Sequence, residues 1–258
     1  PKGNAARKTA GLSESALRMP SCPTPGMRNL DGLLIIDKPE GITSHDVVDR
    51  VRRILHTRRV GHTGTLDPFA TGVMVLVIGK ATRLAQFLNA DEKEYEAAIK
   101  FGFETDSGDR TGTPRSPVHP DPRSILDAVE WNEALAVFQG EIVQLPPMYS
   151  AKKVDGKKLY EHAREGVEIE RSSVNVVIKA LEIIDANKLY SSEPILRIRV
   201  LCSAGTYIRT LAEDIGRKVG VGAHLAELRR TNSGRFSCSD AVTLDELKND
   251  ALPEKRLR

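Results

Sequence analysis

The sequence predicts an α+β fold: a mixed β-sheet with flanking helices and loops. Apolar or alternating strand segments and amphipathic helical segments are interspersed, with no regular βαβ repeat. One fully apolar run, Val73–Ile78, has the length and composition of a buried strand, and no run is long enough to span a membrane. Across 258 residues, 40% hydrophobic and 28% charged content is that of a globular chain with an ample core.

Residues 1–29 lack apolar periodicity, and Lys2, Arg7, Lys8, Arg18 and Arg28 face a single acid, Glu14. A disordered basic tail is expected there, followed by one catalytic-size domain over 30–250 and a tail over 251–258. Order begins with the strand around Leu33–Ile36. Thr43 and Asp46 offer a cap to a helix whose Val47, Val48, Val51, Ile54 and Leu55 share one face. A Gly-rich loop, Gly61–Gly72, leads into the buried strand, and a helix is expected through Leu84, Phe87 and Leu88. Tyr95, Ala97, Ile99 and Phe101 alternate with mostly charged residues, the period of a half-buried strand.

Residues 104–122 read as a long polar loop, 124–138 as a helix, and 141–145 as a strand halted by Pro146-Pro147. A basic loop over 148–158 precedes a helix from about Lys158 to Glu165. Strands are expected at 174–184 and 195–202. A helix from Thr206 carries Ile208, Leu211, Ile215 and Val219, and a second helix is expected through Leu225 and Leu228. Thr243 and Glu246 form a capping box for a last short helix.

The net charge of +3 is small, but its distribution is not even. Basic residues crowd at Arg50–Arg59, at Lys152, Lys153, Lys157 and Lys158, and at Arg229, Arg230 and Arg235, as phosphate contacts require. Solvated helix faces would give similar clusters. Cys22, Cys202 and Cys238 form no CxxC pair, and the histidines have no HExxH spacing. A reducing, cytoplasmic setting and no metal are therefore expected. Gly79-Lys80 is followed by Ala81, which excludes a phosphate-binding P-loop.

The most informative segment is Gly61-His62-Thr63-Gly64-Thr65-Leu66-Asp67-Pro68-Phe69-Ala70-Thr71-Gly72. Its lone acid lies in a tightly turned loop against a buried strand, where a nucleophile or base would be rigidly held. An Asx turn, in which Asp67 only bonds nearby amides, is the plainer alternative.

The string resembles the catalytic motif of TruB-type pseudouridine synthases, in the bacterial stand-alone form. Further motifs follow in that family's order: Asp37-Lys38-Pro39, the strand around Tyr95, Pro146–Ala151 with Gly156–Tyr160, Gly205–Thr210, Gly222–Leu225 and Leu228–Arg230. The resemblance implies a pseudouridine synthase fold that isomerises uridine 55 in the tRNA T loop without cofactor, metal or guide RNA, and a monomer is the default. It implies Asp67 as the catalytic carboxylate, paired with Arg209. Tyr95, Tyr207 and Leu228 are implied to line the base pocket, and His62 to prop the gap left by the flipped nucleotide. RNA contacts are expected from Lys38, for which a structural role is the alternative, and from Arg58, Arg59, Lys152, Lys153, Lys157, Lys158, Arg229 and Arg230. Family members usually continue into a PUA-type domain, which is expected to be absent here, since residues 248–258 alone lie beyond the last shared motif. The rival reading is a non-catalytic RNA-binding or tRNA-folding protein on the same scaffold.

Overall fold

The structure is a computed structural model that describes residues 29–115, 117–150, 152–154, 156–159, 162, 167 and 169–258. The segment up to residue 28, Tyr160 and most of the helix expected over 158–165 lie outside the described residues, as do the side chains of Lys153, Lys157 and Lys158.

The strands are β1 (Gly32–Lys38), β2 (Val60–His62), β3 (Thr71–Ile78), β4 (Lys93–Phe101), β5 (Gly140–Gln144), β6 (Lys153–Val154), β7 (Lys157–Lys158), β8 (Val174–Asp185), β9 (Ile195–Cys202), β10 (Ala223–Ser233) and β11 (Phe236–Ser237). The helices are α1 (Ser44–Ile54), α2 (Ala85–Leu88), α3 (Pro122–Leu126), α4 (Trp131–Ala136), α5 (Ile208–Val219) and α6 (Leu244–Asn249). Nine strands form one sheet in the order β1-β3-β10-β4-β9-β8-β5, with β2 added to β3 and β11 to β10. The β3–β10 pair is parallel and the other pairs are antiparallel. The sheet is therefore mixed, and β6–β7 forms a separate small hairpin within the basic loop.

β3 organises the first half of the molecule. Met74, Leu76 and Ile78 pack in the cluster that holds Val47, Val48 and Val51 of α1. Val73, Val75 and Val77 join Leu33, Ile35 and Phe236 in another. Burial of both faces explains the unbroken apolar run. One edge of β3 pairs with β1 along its whole length. The other edge pairs with β10 only at Thr71–Gly72 and with β2 only at Leu76–Ile78. The interval between these contacts receives the Gly-rich loop. Gly72 has a φ of +105°, and a Cβ there would lie 2.2 Å from the Arg230 carbonyl oxygen, so glycine is required where β3 meets β10.

A larger core joins Ala97, Ile99 and Phe101 of β4 and Leu196, Ile198 and Val200 of β9 to Ile208, Leu211, Ala212 and Ile215 of α5. At the other end of the sheet the chain terminus is docked. Leu33 and Arg258 exchange backbone hydrogen bonds of 2.8 and 2.9 Å, so the last residue of the expected tail pairs with β1.

Three elements differ from the sequence expectation. The segment through Leu225 and Leu228 is a strand, not a helix. A bulge between Leu225 and Glu227 leaves Ala226 unpaired, which turns residues three apart to the same face and imitates helical spacing. The helix expected at 124–138 is two helices. Leu126 and Trp131 would lie about 140° apart on a continuous helix, and the break lets both reach the core around Phe101. The helix through Leu84 and Phe87 is a 3₁₀ turn followed by the short α2, with both side chains exposed. The polar loop after β4 is tied down over residues 104–115 by Glu104 with Arg115 and Arg217, and by a backbone bond from Arg110 to Leu225.

Candidate active site

The Gly-rich loop is fixed from several sides. Ser44, at the start of α1, accepts from Leu66 N–H through its hydroxyl (2.8 Å) and donates to Leu66 O (3.0 Å). Thr43 caps the same helix through a reciprocal box with Asp46, which sets where Ser44 stands. Gly41 N–H donates to Pro68 O (2.8 Å), and Ala70 N–H closes the turn on Asp67 O (3.1 Å).

From beneath, the Lys38 ammonium donates to Ala70 O (2.7 Å), Pro68 O (3.2 Å) and Pro39 O (2.9 Å). Lys38 is wholly enclosed, and burial lowers its pKa to about 8 despite the nearby Asp67 and Glu40 carboxylates. The expected RNA contact from Lys38 is therefore corrected in favour of its structural alternative. Its charge is spent on the loop's carbonyl oxygens, and no RNA can reach it. Thr63 N–H bonds Val75 O (3.1 Å), and Arg230 donates to Val73 O (2.7 Å) and Gly64 O (3.3 Å), filling the gap in the β3 edge.

Asp67 lies on this clamped loop, and Arg209 reaches it from the first turn of α5. Arg209 Nε is 2.9 Å from Asp67 Oδ2, and a terminal nitrogen is 3.1 Å from Oδ1, a two-point grip on the carboxylate. The rest of the guanidinium is satisfied by Ser107 O (2.8 Å) and Tyr149 O (2.7 Å), with Asp109 Oδ2 at 3.7 Å. Asp109 is itself buried and accepts from the Ser107 hydroxyl and from the Thr111 amide and hydroxyl. The loop after β4 thus supplies a second carboxylate behind Arg209.

Burial pushes the Asp67 carboxyl above its usual range, and Asp109 acts in the same direction, while Arg209 and Lys38 oppose them. About 30% of the Asp67 side chain still opens to solvent, through the cleft it lines.

That cleft has a volume of about 270 Å³. Its walls include Asp67, Tyr95, Leu228, Tyr207, Arg209 and Lys152, so five residues expected from sequence at the pocket meet in one place. Tyr95 and Leu228 are buried on the faces of adjacent strands β4 and β10. Tyr207 is the N-cap residue of α5, held by Gln144, which accepts from its N–H (2.9 Å) and donates to its carbonyl (3.2 Å). Burial raises the pKa of both tyrosines, and Arg230 partly counters this at Tyr95.

His62 ends β2 and accepts from Gly64 N–H through Nδ1 (3.3 Å), beside the loop but outside the cleft walls. Among the expected RNA contacts, Arg58 and Arg59 are exposed, and Lys152 reaches Ser172 O (3.0 Å) at the cleft. Arg229 is held by both oxygens of Asp37 (2.7 and 3.1 Å). Arg230 is corrected from surface contact to cleft wall, because it is 2% exposed and spanned by main-chain carbonyls. The sequence reading missed Asp109, Gln144, Ser44 and Lys93. Asp109 stands in a polar loop and the others on regular elements, with no local signal that marks them. No cluster of metal-ligating residues occurs among the described residues, and none of their helices is long and apolar enough to cross a membrane.

Comparison with known proteins gives consistent matches. A profile described as TruB family pseudouridylate synthase (N terminal domain) matches residues 52–208, and one described as tRNA pseudouridylate synthase B C-terminal domain matches residues 209–258. The boundary falls inside α5, so Asp67 and Arg209 lie in different matched segments of a single sheet-based unit. The chain is 49% identical over 228 residues to tRNA pseudouridine synthase B of Aromatoleum aromaticum, covering 88% of this chain and 70% of that protein. It is 47% identical to the protein of the same name from Opitutus terrae, covering 89% of this chain and 93% of that one. Among solved structures, a chain of a Cbf5-Nop10-Gar1 complex superposes with a TM-score of 0.64 at 30% identity over 88% of this chain. A chain of an H/ACA RNP bound to a substrate RNA containing 2′-deoxyuridine superposes with a TM-score of 0.59 at 30% identity over 87%. This chain spans 59% and 54% of those two chains.

Proposed function

The chain belongs to the TruB family of pseudouridylate synthases, and from that premise we propose that it isomerises uridine 55 of the tRNA T loop, with Asp67 as the catalytic carboxylate. Pseudouridine formation in tRNA is the family's activity and the activity of this chain. The target position, the residue roles, monomeric action in the cytoplasm and independence of a guide RNA are our reading. The observation that carries it is the Asp67–Arg209 pair at the base of a cleft walled by Tyr95, Tyr207 and Leu228.

The reaction breaks the bond from uracil N1 to the ribose, turns the base, and forms a bond from C5 to the same sugar carbon. It is redox-neutral. The proton leaving C5 balances the one gained at N1. Asp67 acts on the sugar, either as nucleophile or by taking a sugar proton. Both need an ionised carboxylate with a lone pair to offer. Oδ1 accepts from Arg209 and Oδ2 lies 2.9 Å from its Nε, and a carboxylate oxygen has capacity for a second bond.

A uridine in a folded loop must leave its stack to enter such a cleft. Tyr95 packs against the extruded base, Tyr207 and Leu228 bound it, and His62 stands beside the entrance where the loop closes behind it. Exposed Arg58 and Arg59 and half-buried Lys152 contact the phosphate backbone. Lys153, Lys157 and Lys158 belong to the same basic hairpin.

The test compares wild type with Asp67→Asn on unmodified tRNA transcript, scoring pseudouridine and RNA binding separately. The expected result is retained binding with at least a thousandfold loss of rate, on the order of a lost catalytic group. Product formation at the wild-type rate by the variant would overturn the role of Asp67. The non-catalytic RNA-binding alternative is disfavoured by the same pair, because binding RNA does not call for an anion in the pocket.

A further inference from the structure

Lys93 is a buried cation in the cleft that the assignments above leave unused. It opens β4 two residues before Tyr95, so both side chains rise from the same face of the strand, about 7 Å apart. Lys93 is 5% exposed and lines the cleft. Its ammonium donates to the main-chain carbonyls of Asn89 (2.8 Å) and Asp91, and no carboxylate of the described residues forms an ion pair with it. An ammonium has three N–H groups, so one remains for a ligand.

A second cation backs it. Arg230 stands across from Tyr95 on β10, is also buried in the cleft wall, and bonds the main-chain carbonyls of Val73 and Gly64 and the Tyr95 hydroxyl, with no carboxylate of the described residues paired to it. On the opposite wall the Asp67 charge is already matched by Arg209. The cleft therefore holds two enclosed positive charges beyond what its carboxylate balances. Enclosing a charge without a counterion is costly, and a turn on the protein surface does not need it. Asn89 is exposed and Asp91 only half-buried, so water can serve their carbonyls.

The separation of Lys93 from Tyr95 is comparable to that between the base of a nucleotide and its own phosphates. We propose that Lys93, backed by Arg230, forms a phosphate subsite that grips the phosphodiester flanking the target uridine. The subsite rests on the reading of the cleft as a uridine pocket. Burial lowers the Lys93 pKa, with Arg230 acting in the same direction and Asp91 opposing, so a phosphate beside it would favour the charged ammonium.

The experiment uses a T-arm stem-loop RNA with a single uncharged methylphosphonate on either side of the target uridine, bound by wild type, Lys93→Met and Lys93→Arg. For wild type, one of the two phosphonates should weaken binding about tenfold, and Lys93→Arg should keep that penalty. Lys93→Met should bind both RNAs alike, and the slope of log affinity against log salt should fall by about 0.7–0.9, one phosphate's worth. A wild type indifferent to both phosphonates overturns the subsite whether or not the variants fold. Equal penalties in wild type and folded Lys93→Met overturn it as well, leaving Lys93 as a brace for the turn. Pseudouridine is scored on the unmodified RNA in parallel. Product without phosphonate coupling defeats the subsite alone, whereas no product from wild type defeats the uridine-pocket reading beneath it.

Discussion

Arg209 holds both carboxylate oxygens of Asp67, at 2.9 and 3.1 Å, although 142 residues separate the two in sequence. One partner comes from a loop braced against β3 and the other from the first turn of α5. A cation near a helix N-terminus gains nothing from the helix dipole, so the carboxylates and carbonyls around the guanidinium must supply what holds it there. Replacing Arg209 by Lys keeps the charge but loses the planar fork. The expected outcome is a fall in kcat of about tenfold to a hundredfold with little change in tRNA affinity, measured by single-turnover kinetics and filter binding.

Asp109 should behave as a positioning residue for Arg209. Asp109→Asn preserves shape but removes a negative charge and leaves an amide among the Ser107 and Thr111 donors that the carboxylate now satisfies. A drop in kcat of about tenfold with unchanged tRNA binding is expected. An unaltered rate would show that Ser107 and Tyr149 carbonyls are sufficient to orient the guanidinium.

The pH dependence follows from the direction of the Asp67 shift. Its pKa is raised above the ordinary 3.8, chiefly by burial. The ionised form acts, so activity is lost as pH falls through a value above 3.8. Removing the Lys38 charge, which lowers the Asp67 pKa, should move that acid limb further up. Single-turnover rates of wild type and Lys38→Met across pH, with folding checked at each point, provide the measurement.

Lys38 also links pH to stability. Its pKa is about 8 in the folded protein and 10.5 when free, so between these values the unfolded chain binds more protons. Wild-type stability should therefore rise with pH across that window relative to Lys38→Met, as denaturant titrations at pH 7.5 and 10 would reveal. Near neutrality the variant loses the bonds to Pro68 and Ala70, so its catalytic loop should also loosen.

Arg58 and Arg59 are exposed basic side chains beside β2. Replacing both by Ala should lower the slope of log affinity against log salt by up to about two phosphates' worth while kcat at saturating tRNA stays the same. A kcat effect without a salt effect would instead place them in the structure of the loop.

How far the sequence reached can be judged element by element. The α1 cap was legible because Thr43 and Asp46 lie three residues apart and satisfy each other's donors within one turn. The apolar run of β3 and the alternation of β4 were legible because burial on two faces or one writes itself directly into side-chain polarity. β10 was not, because its register depends on a bulge opposite β4, and only the partner strand decides where an extra residue is absorbed. The resemblance named Asp67, Arg209, Tyr95, Tyr207 and Leu228, and the tertiary structure brings these five into one cleft.

By itself, then, the sequence determined what nearest neighbours along the chain can settle: caps, apolar faces, the Gly-rich loop and the order of its motifs. Only the tertiary structure decided which charges are enclosed and what they meet. Lys38 and Arg230 read as surface cations in sequence, yet both are buried against main-chain carbonyls. Lys93 drew no reading from the sequence, yet it lines the cleft. Arg58 has the same local character as these and lies exposed. The physical reason is that desolvation and pairing depend on atoms brought close by folding, and residues distant along the chain supply most of them.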